Sequence, residues 1–172
     1  HRLGGTNRNY QGTDCGTNTD PLKDYVVNQK SIAGTEWDAA TYRLGGKWRM
    51  PTKAEIYELY TKCTCVWTNN YTYTANTTGK TIQTKVAGYE ISRNGNSIFL
   101  PAAGNLQGGK NLPETNEKGY YWSSTPVNET SNKYQRAYNL DMWIDPSKTV
   151  PEVIIYAQDY RYHGLTIRPV YD

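Results

Sequence analysis

Apolar residues recur at helical spacing most clearly in two stretches, and beyond residue 84 they fall into short alternating runs. Between Leu44 and Leu59 the pattern is best defined. Ile56, Leu59, Tyr60 and Cys63 stand at i, i+3, i+4 and i+7, one face of a helix. Thr52 is the natural N-cap and Glu55, three residues on, completes a capping box in which each side chain satisfies an otherwise unpaired backbone N–H. Such a cap contributes about 1 kcal/mol. Pro51 holds Met50 extended, so the chain leaves a short strand carrying Trp48 before it enters this helix. A shorter helix is predicted from Glu36 to Arg43, capped by Thr35, with Trp37, Ala40 and Leu44 on one side and Gly45-Gly46 ending it. Asp20-Pro21 is another start signal, for a short segment reaching Lys30.

Strand signals fill the rest. Lys85 to Ser92 and Ser97 to Leu100 flank Arg93-Asn94-Gly95-Asn96, and Asn-Gly supports the positive φ angles of a tight hairpin turn. Further strands are predicted over Tyr120–Ser124, Arg136–Met142, Glu152–Ala157 and Leu165–Tyr171. Residues 68–84, rich in Thr, Asn and Tyr, lack a period and read as an exposed excursion or a poor hairpin. Helices first and short antiparallel strands later imply an α+β domain over residues 31–172, preceded by an irregular arm over 1–30.

At 172 residues the chain can bury about 70% of its unfolded surface in one core. Composition changes the picture in one respect: 16 Tyr and 5 Trp stand against a single Phe. Rings with a polar tip serve both a core boundary and a wet binding surface. The net charge is +3, but the cations are scattered among acids, so the clustered footprint of a nucleic-acid binder is missing. No apolar run is long enough for a membrane span, and the sequence opens at His1 without a charged and then apolar leader. Cys15 can reach either Cys63 or Cys65 in a fold, and buried thiols or one disulfide account for the three cysteines better than a metal site, because no cysteine or histidine set at zinc spacing accompanies them.

Four motifs stand in order: Trp48-Arg49-Met50-Pro51-Thr52-Lys53-Ala54-Glu55, Asn96 to Gly104, Gly119-Tyr120-Tyr121-Trp122-Ser123-Ser124 and Gly164-Leu165-Thr166-Ile167-Arg168-Pro169-Val170. Together they resemble the Fibrobacter succinogenes major paralogous domain family, many of whose members are surface proteins of gut bacteria. The resemblance covers about residues 35–172 and implies a C-type lectin-like fold, two helices against a twisted antiparallel sheet with long loops. It also implies export to the periplasm or cell surface, often within a lipoprotein, with any signal segment removed or outside this sequence. Cys65 departs from the aromatic residue expected after Cys63-Thr64. The run Arg49 to Glu55 is also similar to the formylglycine-generating enzyme family, whose activity needs a late cysteine pair; no cysteine follows Cys65, so that likeness is to scaffold.

A third resemblance, to lectin-fold proteins diversified by retroelements, implies binding residues between a Trp-Ser strand and a closing Gly-x-x-x-Arg-Pro strand, here Ser124 to Gly164. Asn128, Tyr134, Arg136, Asp159, Tyr160, Arg161, Tyr162 and His163 are the ligand-contact candidates within it. Tyr supplies broad contact at small entropic cost and Asn adaptable hydrogen bonds. Tyr138, Trp143 and Tyr156 can equally be inward strand residues, and Trp48 and Trp122 are assigned to the core. Arg168 beside Pro169 reads as a structural anchor. The sugar-site tripeptides of calcium lectins are missing, and His163 is the one internal histidine, so neither a metal nor a catalytic group is expected. The expected function is a non-catalytic, cofactor-free adhesion or ligand-binding module for a glycan or a surface protein. A structural module of a surface assembly, or an enzyme on the formylglycine-type scaffold, are the alternatives.

Overall fold

A computed structural model describes residues 28, 30–77, 80–106, 114–127, 136–144 and 152–172. Cys15, the Asp20-Pro21 helix start, Asn128 and Tyr134 lie outside these. Among the described residues the architecture is mixed α+β, with two helices and mostly antiparallel strands. No described helix is long and apolar enough to cross a membrane.

The first helix, α1, spans Ala39–Leu44 and starts later than its sequence suggests, at Asp38 in place of Thr35. The reason is tertiary. The fully buried Asp38 carboxylate accepts from Ala40 N–H at 2.8 Å and Thr41 N–H at 3.2 Å, and its second oxygen from Gly34 N–H at 2.9 Å and Met50 N–H at 2.8 Å. Thr35 instead closes a local turn, donating its hydroxyl to Ile32 O. Gly45 ends the helix at φ 68° as expected, but Leu44 points out, 53% exposed.

Strand β1, Trp48–Arg49, follows, and pairs antiparallel with β8, Val170–Tyr171, bringing two distant parts of the chain together. This two-stranded ribbon has one face in water, so Trp48 is 38% exposed, packed edge-on against Tyr171 at 5.1 Å, and is not the core residue expected. Met50 takes the buried place. The expected anchoring role of Arg168, which is exposed, falls to Arg49. Its guanidinium bonds both Glu55 oxygens at 2.7 and 2.9 Å and reaches Asp172 beside β8 at 2.6 Å. Helix α2, Lys53–Lys62, then starts on the Thr52–Glu55 capping box and buries Ile56.

Strands β2, Thr64–Thr77, β3, Lys80–Arg93, and β4, Asn96–Pro101, form one sheet in that order. The aperiodic Thr/Asn/Tyr stretch is therefore the outer part of a long hairpin. The β3–β4 turn is the expected one, with Asn94 and Gly95 at φ 52° and 80° between paired Arg93 and Asn96. A second sheet runs β5, Lys118–Pro126, β6, Arg136–Trp143, and β7, Glu152–Tyr160. The strand expected over 165–171 shrinks to β8 and a bridge from Thr166 to Tyr121.

Consecutive residues of β5 point to opposite faces. Tyr121 joins Ile56, Tyr89, Ile91, Leu100, Leu140 and Met142 in one core; Trp122 joins Ala40, Met50 and Ala137 in another. Gly119 allows the first to close, since a Cβ there would lie 2.3 Å from Met142 Cε. Cys63 and Cys65 are free, half-buried thiols packed against that core, and burial pushes the Cys65 thiol up, with Cys63 adding to it.

Candidate functional site

Among the described residues the second sheet carries two polar groupings apart from the two cores, one on each face. On the face shared with α2, residues of β6 two apart lie side by side, so Arg136, Tyr138 and Leu140 run toward the core in a row. Arg136 pairs in register with Tyr160, the last residue of β7. Its guanidinium lies 4.8 Å from the Tyr160 ring centre, a cation–π contact.

Beyond Tyr160 the chain turns, with His163 N–H donating to Tyr160 O at 2.9 Å. That turn stacks Tyr162 on Tyr160 at 5.1 Å and sets His163 edge-on to both rings, at 4.7 and 5.9 Å. His163 Nδ1 lies 2.7 Å from an Asp159 oxygen that also accepts from Tyr160 N–H. An ionised carboxylate can only accept, so Nδ1 carries the proton and the ring is fixed in orientation. Next along the row the Lys53 ammonium sits 3.7 Å over the Tyr138 ring. Cations and rings thus alternate along one rim: Lys53 on Tyr138, then Arg136 on Tyr160, then Tyr162 and His163.

The opposite face holds the second grouping. Tyr120 of β5 pairs with Asp141 of β6, and Asp159 of β7 comes from the same face. Burial first and the neighbouring Asp159 charge second push the Asp141 carboxyl up to about 7, against hydrogen bonding from Asn139. Asn139 is 2% exposed, and its Oδ1 has no hydrogen-bond partner among the described residues. Glu114 caps the grouping: it accepts from Lys118 Nζ and from Tyr120 Oη, each at 2.5 Å. Burial alone would raise Glu114, but these two partners outweigh it and hold the carboxyl below its usual value, while burial and Glu114 push the Tyr120 phenol up.

Of the residues expected from the sequence, Arg136, Asp159, Tyr160, Tyr162 and His163 come together, and all are half-buried, not fully exposed. Arg161 lies between them in the turn. Asn128 and Tyr134 lie outside the described residues. Sequence reading missed Lys53, which belongs to a helix start, and the Asp141, Tyr120, Glu114 and Lys118 grouping. A lone acid inside the apolar run Leu140-Asp141-Met142 was the available signal.

Among the described residues no three His, Cys, Asp or Glu side chains gather as metal ligands. A cavity of about 10 Å³ lies under α2, lined by Ile56, Leu59, Cys65, Tyr89 and Met142 among others; it is apolar and has no room for more than a water-sized occupant. The rim therefore offers ring faces, fixed hydrogen-bond donors and cations, which suit noncovalent recognition. No family model, curated protein or solved structure matches the chain.

Proposed function

We propose that this is an exported, non-catalytic recognition module of C-type lectin-like fold, binding a glycan or a surface protein through the rim at the end of β6 and β7. The fold reading rests on the two helices preceding an antiparallel sheet and on the four ordered motifs that resemble the Fibrobacter succinogenes major paralogous domain family. The observation that carries the functional reading is the stacked Tyr160–Tyr162 pair, with Arg136 over one ring and His163 against both. Stacked, half-exposed rings have already lost the rotamer freedom that binding would otherwise cost them. They favour flat apolar faces, such as sugar rings or peptide planes, while Arg136 and His163 supply directional donors.

The test is a screen of the purified domain on glycan and surface-protein arrays, with and without EDTA, beside a Tyr160→Ala/Tyr162→Ala double mutant. Binding that EDTA leaves intact and the double mutant loses is the expected result. Retention in a folded double mutant would place recognition elsewhere, and loss with EDTA would require a cation. A folded domain that binds nothing would put a structural role in a surface assembly ahead.

A further inference from the structure

The β2–β3 hairpin outruns its sheet. Strand β4 covers β3 only from Gly88 to Arg93, whereas β2 and β3 remain paired from Tyr71 with Val86 out to Thr77 with Lys80. Among the described residues that outer part is a ribbon of two strands, and a lone two-stranded ribbon is marginal in water. A third strand would stabilise it, and among the described residues the ribbon offers two edges. On the β3 side, the sequence places Lys80 and Lys85. On the β2 side, no charged residue occurs between Lys62 and Lys80, and the run is rich in Thr and Tyr.

Edge strands are normally guarded by charge, proline or a bulge. Strand β2 has no charge and no proline, and its single irregularity, between Thr68 and Tyr71, leaves Tyr71–Thr77 regular beyond it. Thr72 and Thr74 on that run are exposed, as are Val66, at 54%, and Tyr71, at 36%.

We infer that the outer β2 edge pairs antiparallel with the same edge of a second copy of this chain, joining two ribbons into one four-stranded sheet about a two-fold axis. A second copy fits better than an arbitrary strand for two reasons. Pairing about a dyad sets each residue opposite one from the same uncharged run, so no like charges meet and threonines can face one another across the seam. The product then closes, because its outer edges are the lysine-bearing β3 strands, which resist further addition.

Sedimentation of the full chain over a concentration series into the millimolar range tests this. The wild type should show a reversible rise from the mass of one chain to twice that mass. Thr74→Lys/Asn76→Lys, opposite the uncharged Gln83 and Thr81 of the same hairpin, places like charges across the dyad and should hold the chain at single mass, with its circular dichroism unchanged. Thr84→Lys adds charge to the same hairpin on β3, away from the seam, and should leave the doubling intact. Single mass for the wild type throughout, a double mutant that still doubles, or a Thr84→Lys variant that loses doubling equally would each overturn the inference. None of these outcomes depends on the Tyr160 rim.

Discussion

Two of the polar networks among the described residues handle charge in opposite ways. Around β1 every carboxylate meets donors: Asp38 takes four backbone N–H groups, and Glu55 takes Arg49 and the start of α2. On the far face of β5–β7, Asp141 is half-buried within reach of the Asp159 charge, and among the described residues Asn139 Oδ1 has no partner. The first arrangement holds Glu55 down at about 2, chiefly through Arg49; the second lifts Asp141 to about 7. Satisfied charge fastens chain segments, whereas unsatisfied charge stores free energy that a proton or ligand can release.

The largest test of that contrast is Asp38→Ala. It strands four backbone N–H groups in a site that is 0% exposed, so urea unfolding should show a loss of about 3–5 kcal/mol. Asp38→Asn keeps one acceptor oxygen and should fall between. A loss below about 1 kcal/mol would mean the cap is no more than an ordinary one.

Next come the pH dependences, which should slope in opposite directions. Glu55 has a folded pKa below its usual 4.5, so its contribution is complete above that value and fades as pH falls toward about 2. Asp141 has a folded pKa above its usual 3.8, so the folded state holds a proton that the unfolded state has lost, and stability declines as pH rises from about 3.8 to about 7. Arg49→Met should flatten the acid limb and leave the other unchanged. Asp141→Asn should flatten the decline toward neutrality and leave the acid limb unchanged. Chemical denaturation at stepped pH reads both; a single variant that altered both limbs would show the networks to be one. Thr52→Ala removes half of the capping box and also the hydroxyl that donates to Glu55, so it should cost about 1 kcal/mol above pH 4.5 and less as Glu55 becomes protonated.

The two regions also differed in how far the sequence could reveal them. The Thr52–Glu55 box and the Asn94-Gly95 turn are local devices, satisfied by residues a few positions away, and both form as expected. The start of α1 was misplaced because Thr35 and Asp38 are both good caps, and the choice between them was made by Gly34 and Met50 donating to Asp38, the latter twelve positions away. The outer part of the long hairpin lacked a hydrophobic period because Thr72 and Thr74 lie on a ribbon in contact with solvent, where nothing imposes apolar alternation. At the rim, Asp159, Tyr160, Tyr162 and His163 were found because one turn joins them. Asp141 and Tyr120 were not, since only strand register sets them opposite each other, and Glu114 joins them from a turn by accepting from the Tyr120 hydroxyl.

The subtlest effect separates the two causes that act on Asp141. Burial is the larger and the Asp159 charge the second, so Asp159→Asn should move the Asp141 titration only part of the way back toward 3.8. Carboxyl NMR titration would follow that midpoint directly. Stability at neutral pH should change little, because the loss of the Asp159–His163 contact is offset by relief of repulsion toward Asp141. A midpoint that returned fully to the usual value would make the pair an electrostatic couple set by strand register alone, and the buried face would then be wetter than its packing indicates. A midpoint that did not move would assign the whole shift to burial. In that case the far face would be coupled to the rim through the backbone of β7 alone, and protonating Asp141 should leave ligand binding at Tyr160 and Tyr162 unaltered.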